Sequence, residues 1–353
     1  MSDPSEPFAR PYHLPELMPG EFFVEPDDPA RLASPVYAAE TSDPFDLYSY
    51  RIKRMIHSGQ TAIQDVVICD TYNYGIALFL DGFIQSAQED ESLYHEMIMQ
   101  PALLLHDDPR DVLIIGGGEG ACLREALAHA TVRRATMVDI DPELVELCRE
   151  HLPGWHQGAF AEPRARLVFS DGRRFIEASA DRYDVIVIDI VDMLDNGPAQ
   201  LLYTRQFYAT LRERLRPGGI LVLQALEFSF QDYKEHAALA RTLRTVFAEV
   251  HSYRTTIPSF LGSWGFLIAS DWLRPQNWTA AAIDRRIEQR LGPDWLDHLN
   301  GEFLLACFAH CKETRAVQAY PGPILEDGVA FIAPPDVDEI DPVQARFPAR
   351  DPD

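Results

Sequence analysis

Short apolar runs alternate with helix-forming segments through the middle of the chain, from about residue 92 to 270. Five of these runs read VLII at 112–115, TMVDI at 136–140, RLVF at 166–169, VIVID at 185–189 and ILVLQ at 220–224. Continuous apolar strands joined by helices are typical of a parallel sheet that is covered on both faces. The sequence therefore predicts an α/β fold that binds its ligands beyond the carboxyl ends of the strands.

The flanking segments differ in composition from this central part. Between about 48 and 86, β-rich runs are interrupted by Asn73-Tyr74-Gly75 and by Asp81-Gly82, which is hairpin chemistry and predicts a small antiparallel sheet. Both ends of the chain are acidic and rich in proline, which is typical of loosely ordered segments. We therefore expect, in order, a flexible arm (1–45), an N-terminal β-hairpin domain (46–95), an α/β domain (96–335) and an acidic tail (336–353).

Acidic residues outnumber basic ones by 55 to 31, which gives the 353-residue chain a formal net charge of −24. Nucleic-acid phosphates require Lys and Arg, so we expect no nucleic-acid partner. Such a surface would instead attract a small polycation. A general adaptation for solubility is the alternative explanation of the charge.

The sequence carries no signal for a membrane or secretory destination. No apolar run approaches the ~20 residues that a membrane helix needs, and the N-terminus lacks a basic start followed by an apolar core. The five cysteines are scattered and odd in number, which favours a reduced protein without disulfides. We therefore expect a cytoplasmic protein with no membrane partner.

A glycine-rich loop joins the first buried strand to the helix that follows it. In IIGGGEGACLREAL, Gly116, Gly118 and Ala121 satisfy the pattern G-x-G-x-x-A. Glycines let the backbone turn tightly and approach a ligand, and the helix N-terminus offers free N–H groups. Asp139 ends the next strand, where a carboxylate can hold both hydroxyls of a ribose. These residues predict a nucleoside site.

Two acids indicate which nucleoside is bound. Glu119 lies inside the glycine loop, where it would repel a pyrophosphate but suit a positively charged sulfonium nucleoside. Asp171 and Gly172 follow the third strand, where an acid can meet the adenine amino group; a helix N-cap is the alternative role of Asp171. This succession resembles the S-adenosylmethionine-dependent methyltransferases. It implies a Rossmann-like sheet of the class I methyltransferase type, preceded by the small antiparallel β domain.

A cluster of acids follows the fourth strand. Asp189 and Asp192 are three residues apart, Asp195 comes shortly after, and no Lys or Arg occurs before Arg205. Carboxylates this close repel one another unless a cation lies between them. An amine substrate would fit, and Mg²⁺ or Ca²⁺ is the competing interpretation. We favour the amine, because the carboxylates would already face a sulfonium, and we expect no metal; solvated loop acids are a third alternative.

At this point the chain resembles a family, the polyamine aminopropyltransferases, which include spermidine, spermine and thermospermine synthases. The resemblance covers about 48 to 330 and is carried by DIVDMLDNGPAQLLYTRQFY, IIGGGEGACLREAL and GQTAIQDVVICDTYNYGIALFLDGFIQSAQEDESLYHEM. Glu119, the longer loop ending in DNGP, and IPSFLGSWGFLIASD at 257–271 resemble the thermospermine synthase branch. Met193 departs from the family, which usually has proline there, and this makes the acceptor preference less certain.

The resemblance implies roles for particular residues. Asp189 matches the catalytic base, and Asp192 matches its partner on the amine substrate. The positions that match donor contacts are Gln64, Gly116, Gly118, Glu119, Asp139, Asp171, Gly172 and Pro198. The positions that match the amine side are Tyr94, His95, Glu119, Asp192, Tyr203 and Gln224. A plain surface histidine on a helix is the alternative for His95.

The implied reaction moves an aminopropyl group from decarboxylated S-adenosylmethionine to a polyamine, converting spermidine to thermospermine and releasing 5′-methylthioadenosine. No tightly bound cofactor is implied, and a homodimer or homotetramer is. Glu119 would repel the carboxylate of ordinary S-adenosylmethionine, which favours aminopropyl over methyl transfer. The alternatives are another acceptor such as putrescine or agmatine, a methyltransferase, a nicotinamide-dependent oxidoreductase, and a binding module without turnover.

Overall fold

The computed structural model describes residues 22–23, 36–40, 48–191, 198–230 and 232–329. Two compact units divide the chain between Ala87 and Gln88. The boundary expected after residue 95 instead falls inside a helix, Glu91–Leu105, that belongs to the second unit. No helix in the described part of the chain is both long and apolar enough to cross a membrane.

The first unit contains the antiparallel sheet that the hairpin signals predicted. Its strands in the described residues lie in chain order: β1 (Phe22–Phe23), β2 (Val36–Glu40), β3 (Tyr48–Gln60), β4 (Asp65–Thr71), β5 (Gly75–Leu80) and β6 (Phe83–Ala87). Asp81 and Gly82 both have positive φ, of 49° and 86°, as a tight two-residue hairpin between β5 and β6 requires. Strands β1 and β2 lie in the segment expected to be a loose arm. Strand β2 pairs with β3 and β1 pairs with β2, which satisfies backbone groups that would otherwise form an open edge on β3.

The second unit is built on the predicted α/β sheet. Its seven strands in the described residues have the order β12-β13-β11-β10-β7-β8-β9. Strands β9, β8, β7, β10 and β11 are parallel, and β13 runs antiparallel between β11 and β12. The bounds are β7 (Asp111–Gly116), β8 (Arg134–Asp139), β9 (Ala165–Phe169), β10 (Tyr183–Asp189), β11 (Leu215–Glu227), β12 (Glu249–Ile257) and β13 (Gly262–Ser270).

Helices cover both faces of this sheet. In strand β7, Val112 and Ile114 point into one apolar core and Leu113 and Ile115 into the other, which explains why this strand is apolar at every position. The helices of the described residues are α1 (Glu91–Leu105), α2 (Ala121–Ala128), α3 (Pro142–His151), α4 (Pro153–His156), α5 (Gly172–Ala178), α6 (Arg205–Arg214), α7 (Lys234–Arg244), α8 (Ala280–Arg290), α9 (Gly301–Cys307) and α10 (Lys312–Val317).

Candidate active site

The site lies where the strand order of the second unit reverses. From β7 the chain continues to β8 and β9 on one side, and β10 pairs with β7 on the other. Asp189 at the end of β10 lies opposite Gly116 at the end of β7. Such a reversal point leaves a crevice at the carboxyl ends of the strands, where α/β sheets bind ligands.

The glycine loop turns into this crevice because it has no side chains at two positions. Gly116 has a φ of +86°, and a Cβ there would lie 1.9 Å from the carbonyl oxygen of Asp189. The N–H of Gly117 donates to that same oxygen at 2.9 Å. A Cβ on Gly118 would lie 2.9 Å from Oδ2 of Asp139. The loop therefore passes directly over the ends of β10 and β8.

Asp139 is a buried carboxylate at the end of β8. Its Oδ1 accepts the backbone N–H of Asp141 at 2.8 Å. Burial raises the pKa of Asp139 to about 7, because the charged form loses its water, and nearby Glu119 adds repulsion. Asp139 is therefore close to half ionised at neutral pH.

The buried His95 pairs with Glu119, which is partly buried. The Nε2 atom of His95 lies 2.9 Å from Oε1 of Glu119, and Nδ1 lies 2.9 Å from Oε2 of Glu91. The guanidinium of Arg124 in turn holds both carboxylate oxygens of Glu91, at 3.0 and 3.1 Å. Burial lowers the pKa of His95, but the hydrogen bonds to Glu119 and Glu91 outweigh it and raise that pKa to about 10. His95 is thus an imidazolium between two carboxylates, and not a surface histidine.

Asp189 is held at both oxygens. The hydroxyl of Tyr94 donates to Oδ1 at 2.7 Å, and the thiol of Cys122 donates to Oδ2 at 3.1 Å. Burial raises the pKa of Asp189, and repulsion from Glu119 adds to the effect. Each oxygen keeps a further lone pair for a substrate proton. The arrangement suits a carboxylate that accepts a proton from a bound group.

Comparison with known proteins fits this geometry. Residues 91–276 match the spermine/spermidine synthase domain, and residues 36–88 match the spermidine synthase tetramerisation domain. The chain belongs to the spermine/spermidine synthase family. It is a polyamine aminopropyltransferase, and the family resemblance inferred from the sequence is confirmed.

The sequences of individual relatives align with most of this aminopropyltransferase. Polyamine aminopropyltransferase 2 of Pseudomonas aeruginosa is 62% identical over 337 residues, covering 95% of this chain and 97% of the relative. Polyamine aminopropyltransferase 2 of Hyperthermus butylicus is 43% identical, covering 72% of this chain and 83% of the relative.

Solved structures show the same fold. A spermidine synthase in complex with the transition-state analogue AdoDATO matches with a TM-score of 0.74 at 27% identity, covering 80% of this chain and 94% of that one. Spermidine synthase from Thermotoga maritima matches with a TM-score of 0.73 at the same identity.

In this aminopropyltransferase, Asp171 is the N-cap residue of helix α5. Its Oδ1 accepts the backbone N–H of Arg174 at 2.8 Å, and α5 begins at the next residue, Gly172. A Cβ on Gly172 would lie 2.5 Å from Cγ2 of Ile115, so the glycine allows α5 to start against β7. The alternative capping role of Asp171 is therefore present, and its contact with adenine stays a prediction.

Tyr203 and Gln224 support the chain that follows Asp189. Both side chains are almost fully buried. The amide of Gln224 donates to the carbonyl of Ile190 at 2.9 Å and to the Tyr203 hydroxyl at 3.0 Å, and that hydroxyl donates to the carbonyl of Val191 at 3.2 Å. These bonds fix the exit of β10, and direct contact with substrate stays a prediction.

Two further predicted site residues belong to other elements, and a third lies outside the described residues. Gln64 belongs to the first unit, where its N–H donates to the hydroxyl of Thr61 at 3.1 Å. Pro198 begins a 3-10 turn that ends at Leu202. Asp192 lies outside the described residues. Their contacts with donor or amine stay predictions.

Sequence reasoning missed Glu91, Arg124 and Cys122. The thiol of Cys122 reaches Asp189, which is 67 positions away in the chain, and no local pattern indicates that contact. The helical spacing of Glu91 and His95, four residues apart, was a usable signal, because such residues lie on the same helix face. Nothing local indicated that Arg124 would hold Glu91.

Proposed function

We propose that the enzyme transfers the aminopropyl group of decarboxylated S-adenosylmethionine to spermidine, producing thermospermine and 5′-methylthioadenosine. One observation carries the proposal most directly: Glu119 and Asp189 are joined through a shared cluster with His95, at the carboxyl end of the sheet. Two carboxylates that lie close together suit a donor and an acceptor that are both cationic. The structural match to a spermidine synthase bound to AdoDATO supports the choice of donor.

The donor would be held from three directions. Asp139 would accept both ribose hydroxyls, and Gly118 would allow the nucleoside to approach the loop. Glu119 keeps Oε2 for the aminopropyl ammonium, since Oε1 faces His95. The carboxylate of ordinary S-adenosylmethionine would meet the same negative charge and be repelled.

The acceptor must lose a proton before it can react, because an ammonium has no lone pair. Asp189 would take this proton from the attacking nitrogen. The nitrogen then forms a bond to the methylene carbon beside the sulfonium, while the C–S bond breaks and its electron pair stays on sulfur. Tyr94 and Cys122, which donate to Asp189, would keep the carboxylate in line with the reacting atoms.

Tyr94 is the first of three aromatic rings that lie in contact one after another. Its ring centroid is 5.7 Å from that of Phe260, which in turn lies 4.8 Å from that of Trp264. Asp90 anchors the turn before Phe260 by accepting the N–H and hydroxyl of Ser259 at 2.7 and 2.9 Å. We assign this aromatic wall to the acceptor's methylene chain.

The acceptor assignment is tested by a product panel. We expect incubation with decarboxylated S-adenosylmethionine to add one aminopropyl unit to spermidine faster than to putrescine or agmatine, as measured by mass spectrometry of the products. Chromatography against thermospermine and spermine standards reports where the unit is added. Faster conversion of putrescine would overturn the spermidine assignment, and methylated products would overturn aminopropyl transfer altogether.

A pH dependence of nucleoside binding follows from Asp139. With a pKa of about 7, roughly a tenth of this carboxyl is ionised at pH 6 and nine tenths at pH 8. If only the ionised form accepts both ribose hydroxyls, the Kd of 5′-methylthioadenosine will be about 10-fold higher at pH 6 than at pH 8. Calorimetry measures this Kd. This probe is uncharged at both pH values. The Asp139→Asn variant should bind 5′-methylthioadenosine weakly, with a Kd that does not change between pH 6 and pH 8. A wild-type Kd that does not change with pH would contradict the assignment of Asp139 to the ribose.

The match of residues 36–88 to the tetramerisation domain supports self-association. We propose a homodimer or a homotetramer. Light scattering of the full-length chain during size-exclusion chromatography would distinguish the two. A monomer at micromolar concentration would count against both.

A further inference from the structure

An imidazole, a thiol and a carboxylate converge beside the amine side of the site. His95, Cys122 and Asp189 each offer one ligand atom, and these atoms all lie within 4.8 Å of one another. His95 and Cys122 are buried, and Asp189 is partly buried. We propose that these three side chains form a Zn²⁺ site, and that Zn²⁺ bound there inhibits the enzyme by keeping the acceptor amine away from Asp189.

The ligand set selects the metal. Zn²⁺ takes Cys, His and carboxylate ligands in a tetrahedron, at about 2.3 Å from sulfur and about 2.0–2.2 Å from nitrogen or oxygen. Neighbouring ligand atoms in such a tetrahedron are roughly 3.4–3.7 Å apart, so small side-chain rotations would close the present cluster. Mg²⁺ and Ca²⁺ require oxygen ligands and would not use the thiolate or imidazole.

The surroundings of His95 are those of a metal-binding histidine. Its Nδ1 lies 2.9 Å from Oε2 of Glu91, and Arg124 holds Glu91 by two hydrogen bonds. A carboxylate on the far nitrogen commonly fixes the tautomer and the ring orientation of a histidine that binds zinc. It leaves Nε2, which lies 2.9 Å from Oε1 of Glu119, for the metal.

Asp189 is also oriented for this role. Tyr94 donates to Oδ1, which leaves Oδ2, the oxygen that faces the sulfur of Cys122 at 3.1 Å. Binding is balanced in protons and charge. The imidazolium and the thiol each release one proton to solvent, and the incoming Zn²⁺ replaces the two positive charges.

Co²⁺ provides a direct test of the site, because its thiolate complexes show a charge-transfer band in the near ultraviolet. We expect the full-length chain to bind one Co²⁺ with this band, and Zn²⁺, but not excess Mg²⁺, to abolish it. Cys122→Ser keeps a hydroxyl donor for Asp189 but removes the thiolate, so the band should disappear and the metal affinity should fall at least about 10-fold.

The matched control is Cys311→Ser, because Cys311 is the exposed cysteine of the chain and the obvious rival ligand. This variant should keep the band. A band that survives in Cys122→Ser, or that disappears in Cys311→Ser, would overturn the site. Absence of any thiolate band at millimolar Co²⁺ would do the same.

The inhibition rests on the proposed function, whereas the spectroscopic test does not. We expect Zn²⁺ to raise the apparent KM for the amine, and a chelator to restore the original rate. A Co²⁺ band together with Zn²⁺-insensitive turnover would overturn the inhibition and leave the metal site standing. A band in a chain that forms no aminopropyl product with any amine would count against the proposed function alone.

Discussion

Replacing Asp189 with asparagine will lower kcat by about 10³-fold, within the range that a positioned general base contributes. Asparagine has nearly the same shape, and its carbonyl oxygen can still accept the Tyr94 hydroxyl, which donates at 2.7 Å in the wild type. It cannot take a proton from the acceptor ammonium. We therefore expect turnover to be lost while the nucleoside site is kept. Single-turnover kinetics with spermidine and calorimetry with 5′-methylthioadenosine measure the two effects.

Asp184 provides a matched control on the same strand. It lies at the opposite end of β10, where Oδ2 accepts the backbone N–H groups of Arg110 and Asp111 at 2.9 Å each. Asp184→Asn tests the effect of losing a buried charge from β10, and its kcat should stay within about twofold of the wild type in folded protein. Full activity of Asp189→Asn would show that another group accepts the proton.

Replacing Glu119 with glutamine will raise the KM for decarboxylated S-adenosylmethionine by roughly 10- to 100-fold. The substitution removes the charge that faces the aminopropyl ammonium, and hydrogen bonds to charged groups are worth about 1.5–3 kcal/mol. It also removes one of the two carboxylates that hold His95, so the pKa of His95 should fall from about 10. Steady-state kinetics with varied donor, and titration of the His95 ring by NMR, measure these changes.

Donor discrimination should weaken in the same variant. Ordinary S-adenosylmethionine carries a carboxylate that Glu119 repels, so its inhibition constant should improve in Glu119→Gln as the affinity for the decarboxylated donor declines. Glu119→Asp keeps the charge and is the conservative control, which should retain most of the discrimination. Equal losses of affinity for both nucleosides would show that Glu119 supports the loop and does not select the donor.

The glycine loop and the strand-end acids could be predicted from the sequence because their signals are local. The run VLII followed by GGGEG reports a buried strand and a turn without side chains, and the structure has the two close contacts at Gly116 and Gly118 that require them. Asp139 and Asp189 each end an apolar run, so the parallel sheet alone brings them to one edge. The apolar runs, the glycines and the acids that end the runs are all patterns within a few residues of the sequence.

The antiparallel position of β13 had no comparable signal. A run of strand-forming residues indicates that a strand forms, but it does not indicate which strands will be its neighbours. In the structure β13 lies between β11 and β12 and pairs with both in antiparallel register. Similarly, the pairing of β2 with β3 depends on a partner edge and not on the composition of residues 36–40.

The sequence by itself determined the α/β class and the placement of acids at the strand ends, because hydrophobic spacing and turn glycines act over a few residues. Only the tertiary structure decided the state of those acids. Tyr94, Cys122 and Asp189 come from three elements. Asp189 is 95 positions from Tyr94 and 67 positions from Cys122 in the chain. Arg124 is 33 positions from Glu91, to which it donates. Their hydrogen bonds and their shared burial set which carboxylates are held, paired or protonated. These are properties of packing between distant segments, and no stretch of the chain contains them alone.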